Sequence, residues 1–166
     1  GELVPELAES WEGSNGAKTW NFKIRQGVEF HNGKSLTAED VVDSLNHHLG
    51  EESKSAAKGQ LGAVTSVKAD GKYGVVVELS GGDADFPFIL TDYHLLICPS
   101  NGDGTIDWQS GTGTGGFTLV EHEPGVRTLT KANPNYWKPN RRFFDEVETL
   151  QIADSAAREA ALRTGE

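Results

Sequence analysis

A single cysteine, Cys98, excludes any disulfide within the chain, which leaves the redox compartment open, because many exported bacterial proteins have none. Apolar runs are short. None approaches the roughly 18 residues that a membrane-spanning helix needs. Positive charge is scarce: 15 Lys and Arg stand against 25 Asp and Glu, a net charge of −10. Such a surface repels phosphate backbones and argues against nucleic-acid partners. Methionine is absent, even at the first position, and no signal peptide opens the chain. The expectation is a piece of a longer protein, whose targeting signal would lie outside it.

What is present fits a folded domain of ordinary size. The 166 residues are 36% hydrophobic and include 20 glycines, against disorder and against a fibre. Trp20-Asn21-Phe22-Lys23-Ile24-Arg25 alternates strictly, which predicts a half-buried strand with Trp20, Phe22 and Ile24 inward. Thr37 and Asp40 flank the start of an apolar stripe, Val41, Val42, Leu45 and Leu49, and Gly50 follows it. That is a capped amphipathic helix. Strands are expected at Ala63–Lys68 and Tyr73–Leu79 about Asp70-Gly71, and at Phe117–His122 and Arg127–Lys131 about Pro124-Gly125. Another is expected at Val147–Ile152, and a last helix at Ala156–Arg163, capped by Asp154 or Ser155 and closed by Gly165. Pro87 keeps Phe86–Leu90 from being a central strand, and Glu51–Gly62 reads equally as helix or loop. The fold class is β-rich α+β (mixed α/β), with a change of composition near residue 100.

The catalytic and cofactor motifs fail on context. Gly111-Thr112-Gly113-Thr114-Gly115-Gly116 matches GxGxxG, but a strand-like segment follows where a dinucleotide site needs a helix N-terminus. Asn101–Asp107 resembles the middle of a calcium loop, yet Pro99 and Ser110 occupy the end positions that need carboxylates. His47 and His48 are adjacent, not the i, i+4 pair of a zinc helix. Cys98 has no local base, no GxSxG occurs, and Glu39-Asp40 reads as a helix start. Trp11, Trp20 and Trp137 are expected in cores. Trp108, in a polar loop, covers that loop or offers a ligand a flat wall.

A set of segments in order carries more. Leu3–Glu12 precedes Trp20–Gly33 and Leu36–Leu45; then come Gly113-Thr114-Gly115-Gly116-Phe117, Asn133-Pro134-Asn135-Tyr136-Trp137, Phe144-Asp145-Glu146-Val147 and Ala157–Glu166. From end to end this resembles the family 5 extracellular solute-binding proteins of bacterial ABC importers, the peptide, opine and nickel group. The resemblance implies part of a type II periplasmic-binding-protein fold. Residues 1–110 would be the small extra domain, like that of dipeptide-binding proteins, and residues 111–166 a partial return into the first ligand-binding lobe. It implies a periplasmic or otherwise extracytoplasmic protein. That protein would capture a peptide-like solute, an opine or a nickel chelate and deliver it to a membrane permease, with no chemistry, no resident metal and no cofactor of its own. The strands at Phe117–His122 and Val147–Ile152 would then show apolar surface meant for the rest of the lobe. By position in the family, the solute would meet Ser53, Lys54 and Lys58, Asp92, Tyr93 and His94, and the backbone of Gly113, Thr114 and Gly115. Gly116 departs from the family's usual Pro, a swap expected to loosen that loop. Two readings from other classes stand beside this one: a hydrolase completed by residues elsewhere, and a structural or docking module.

Overall fold

The computed structural model describes residues 1–165. It divides into two compact units, Gly1–Thr114 and the residues from Gly115 onward.

The first unit is built on a four-stranded antiparallel sheet. Its strands are β1 (Ala8–Ser14), β2 (Thr19–Ile24), β3 (Val64–Asp70) and β4 (Gly74–Leu79), in the order β1-β2-β4-β3. Alternation decides which face is dry. Trp20, Phe22 and Ile24 on β2 and Val75, Val77 and Leu79 on β4 are buried, while their neighbours face outward. Phe86 joins them edge-on to Phe22 at 6.4 Å, and each such ring or branched chain contributes about 1.5–3 kcal/mol on burial. β1 carries no strict alternation of its own. Pairing with β2, Trp11 opposite Phe22, makes it a strand.

Helix α1 (Ala38–Leu49) packs on β3 and β4. It starts where expected because the Asp40 carboxylate accepts the Thr37 N–H at 2.8 Å, half of a capping box. Its buried face is not quite the expected stripe. Ala38, Val41, Leu45 and His48 turn inward, and Leu49 is only half-buried. The helical period places His48 three residues after Leu45, so the ring shares that face while His47 stays in solvent. A 3-10 turn (Ala56–Gly59) and the four-residue helix α2 (Phe86–Ile89), with Pro87 in its first turn, complete the unit.

The second unit is a three-stranded antiparallel meander, β5 (Phe117–Glu123), β6 (Arg127–Ala132) and β7 (Glu146–Leu150), followed by α3 (Ser155–Thr164). β7 begins and ends earlier than its apolar residues suggest, since pairing with β6 sets its limits from Glu146 to Leu150. One face is charged, with Arg127 between Glu121 and Glu148 and Lys131 against Glu146. Asp154 caps α3 by accepting the Ala157 N–H at 2.8 Å, and Gly165 closes it at φ 80°. No residue of α3 is buried, and Leu119, Val120 and Leu150 are all more than 40% exposed. That matches the apolar surface expected on these strands.

Two tryptophan expectations need correction. Trp20 is in the core, but Trp11 and Trp137 are half-buried. Trp11 lies on an edge strand with cover on one side only, and Trp137 packs edge-on to Tyr136 at 5.9 Å. Cys98 is half-buried.

Candidate functional site

The first unit brings two of the expected segments together. The 3-10 turn after α1 and the turn at Asp92–His94 meet through Gln60, whose side-chain amide donates to Asp92 Oδ2 at 3.0 Å. The other oxygen of Asp92 accepts the His94 N–H at 2.9 Å and lies 2.7 Å from His94 Nδ1. These contacts, the backbone N–H of His94 foremost and then Gln60, hold the Asp92 carboxyl below its ordinary pKa. The residue is therefore an anion that orders its own turn, with one acceptor direction left over. Tyr93 is carried outward by that turn. It is 78% exposed, and its ring lies 3.9 Å from that of His94. A flat aromatic wall beside a fixed carboxylate suits a small polar solute.

The Ser53–Lys58 residues differ from one another. Lys54 is exposed. The Lys58 ammonium donates to the Glu51 carbonyl at 2.7 Å, which draws it back over its own loop. Ser53 donates its hydroxyl proton to the His47 carbonyl at 3.0 Å, so it is a strut. Gln60, which joins the two segments, was missed. A lone Gln in a polar run carries no sequence signal.

The glycine loop is less open than expected. The N–H of Gly113 donates to His31 Nδ1 at 3.2 Å, and its carbonyl accepts the His31 N–H at 2.9 Å. Its backbone is thus spent on His31, and neighbouring Thr114 is half-buried. In the second unit the Gly115 carbonyl accepts the Asn133 side-chain amide at 3.1 Å, and that of Gly116 accepts the Asn133 N–H at 2.9 Å. A Cβ on Gly116 would come within 3.2 Å of the Tyr136 ring. Glycine admits this close approach, and buried Asn133 holds both carbonyls of the loop.

The remaining polar cluster of the first unit is structural. Asp40, fully buried, binds Lys34, Ser100 and Thr37, and Asp43 accepts the Ser100 hydroxyl. In the Asn101–Asp107 loop the Asp103 carboxylate is turned onto Thr105, whose N–H and hydroxyl it accepts. Among the described residues no group of three or more His, Cys, Asp or Glu side chains is placed to hold a metal ion. No helix there is long and apolar enough to cross a membrane.

The model of the bacterial extracellular solute-binding proteins, family 5 Middle, matches residues 2–166. The chain belongs to this family. It is 35% identical over 147 residues to the uncharacterized protein YhjP of Bacillus subtilis (strain 168), covering 89% of this chain and 24% of YhjP. The solved structure of AgaA, a PBP from A. tumefaciens R10 in complex with agropinic acid, superposes with a TM-score of 0.85 at 29% identity. That match covers 99% of this chain and 34% of AgaA. The oligopeptide-binding protein AppA of Bacillus subtilis, solved with a nonapeptide, gives the same TM-score and identity, over 96% of this chain and 33% of AppA. The family 5 chain thus has the mixed α/β, sheet-rich fold of its neighbours and spans about a third of the length of these solved relatives.

Proposed function

We propose that this chain is part of the extracytoplasmic solute-binding component of an ABC importer, which captures a peptide or a similar small solute, an opine or a nickel chelate, and hands it to a membrane permease. The family match over residues 2–166 carries this reading. AppA, solved with a peptide, and AgaA, solved with agropinic acid, support the solute classes. On this reading Gly1–Thr114 contains the small extra domain, and the following residues belong to the first ligand-binding lobe.

Within the first unit the solute meets Tyr93 and the Asp92–His94 turn, with Lys54 as the cation available to a solute carboxylate. Asp92 is already anionic and fixed, so an ammonium group can use its remaining acceptor direction without ordering anything new. Gly113 contributes by tying its loop to His31 rather than by touching solute.

The test is a thermal-shift screen of the full-length protein against peptides, opines and nickel chelates. One of the three classes is expected to raise the melting temperature in proportion to its concentration. Tyr93→Ala is then expected to weaken binding of that solute by about 1–3 kcal/mol in calorimetry. A full-length protein that no class stabilises would refute the reading. Unchanged affinity in the folded variant would remove Tyr93 from the site.

A further inference from the structure

His48 is a titratable group that the solute reading does not use. It is only 8% exposed, on the inward face of α1. Its Nδ1 lies 2.6 Å from the Ser55 hydroxyl oxygen. That oxygen already accepts the Ala57 N–H at 3.1 Å, the bond that starts the 3-10 turn. In the neutral tautomer with its proton on Nε2, the ring accepts the Ser55 proton at Nδ1, and the Ser55 hydroxyl is then used as both donor and acceptor. Ser53 repeats the arrangement one step earlier. Its oxygen accepts the Ser55 N–H at 3.3 Å, and its proton goes to the His47 carbonyl. The segment after α1 thus hangs from the last helical turn largely by two serine hydroxyls.

Among the described residues no carboxylate is paired with the His48 ring. On its own helix His47 stands edge-on, ring centres 5.4 Å apart. From the facing loop comes His94, whose partner Asp92 is held by His94 itself and by Gln60. From the following segment come Ser55 and Lys58, the latter bound to the Glu51 carbonyl. The strands against α1 turn Val67, Val75, Val77 and Leu79 inward. Protonation would put a hydrogen on Nδ1, drive the Ser55 proton elsewhere, and leave a buried cation beside two imidazoles.

We propose that His48 and Ser55 form an acid-released latch, which fastens the Ser53–Gly59 segment to the end of α1 and thereby makes solute capture pH-dependent. The latch stands on its own geometry; the link to capture rests on the function proposed above.

The sign follows from burial first, then from His47 and His94, which together hold the ring's pKa below the ordinary 6.5. The unfastened ring therefore binds protons more readily than the fastened one. Fastening is at full strength above the ordinary value and weakens as pH falls through it. The loss is up to about tenfold per pH unit and stops below the fastened ring's own pKa.

Hydrogen exchange of the Ala57, Gln60 and Leu61 amides in the full-length protein tests the latch, with rates corrected for intrinsic pH dependence. Protection is expected to fall several-fold, up to roughly tenfold, between about pH 7.5 and 5.5. In His48→Gln, which accepts from Ser55 at any pH, it should stay level. A level profile in the native protein, or the same fall in His48→Gln, would overturn the latch. Should that variant fail to fold, Ser55→Ala is the substitute, expected to show low protection at both pH values; a retained fall would refute the proposal. Affinity for trialanine, a plain tripeptide probe, is measured at the same two pH values. A fall in native but not in His48→Gln supports the link to capture. Exchange that steps with pH while affinity does not refutes that link alone, and no trialanine binding at either pH counts against the peptide reading instead.

Discussion

Replacing Asp40 by Ala should be among the most damaging single changes in the first unit. Its carboxylate is fully buried. One oxygen accepts the Thr37 N–H at 2.8 Å and the Thr37 hydroxyl at 3.0 Å. The other accepts the Ser100 N–H at 2.8 Å and the Lys34 ammonium at 2.5 Å. One side chain thus starts α1 and pins the loop that enters at Ser100. Alanine leaves two backbone N–H groups without an acceptor, at about 1–3 kcal/mol each when buried. Lys34 softens the loss, since its side chain is 38% exposed and can turn to water. The two N–H groups together cost about 2–6 kcal/mol. Lys34→Ala should cost less, about 1–2 kcal/mol, because the carboxylate keeps three donors, the Thr37 and Ser100 N–H groups and the Thr37 hydroxyl. Urea unfolding at neutral pH, followed by tryptophan fluorescence, measures both. A cost for Asp40→Ala below about 1 kcal/mol, or below that of Lys34→Ala, would refute the assignment of Asp40 as the hub.

Other outcomes follow from the same geometry. Gly74→Ala should destabilise the β3–β4 hairpin by about 1–3 kcal/mol, since a Cβ there would lie 2.3 Å from the Asp70 carbonyl oxygen; an unchanged urea midpoint would contradict the close approach. Burial, and then the Asp107 charge, push the Cys98 thiol up. Its reaction with a neutral thiol reagent near pH 8 should be slower than in the urea-unfolded chain, roughly tenfold or more; equal rates would show the sulfur to be open to solvent. The Tyr93→Ala and His48→Gln experiments probe the solute wall and the latch in the same unit.

Elements whose signals are local can be read from the chain without its fold. Thr37 and Asp40 mark the start of α1, and alternation along Trp20–Ile24 marks the dry face of β2, because caps and side-chain periods act within a few residues. Asp154 and Gly165 bound α3 for the same reason. The order of motifs also sufficed to identify the family. Tertiary structure decided everything that depends on distant partners. β1 is a strand only because β2 lies beside it, and Trp11 stays half-buried because that strand is an edge. Asp92 could be foreseen as a loop carboxylate near a site, but not as one already engaged by Gln60, 32 positions away in the chain. Gly113 read as open backbone until its pairing with His31, 82 positions away. The same holds for His48: sequence put it next to His47, and only the tertiary packing of α1 buried it against Ser55, with burial lowering its pKa. Burial and the hydrogen bonds of a side chain are set by neighbours in space, which a linear pattern does not contain.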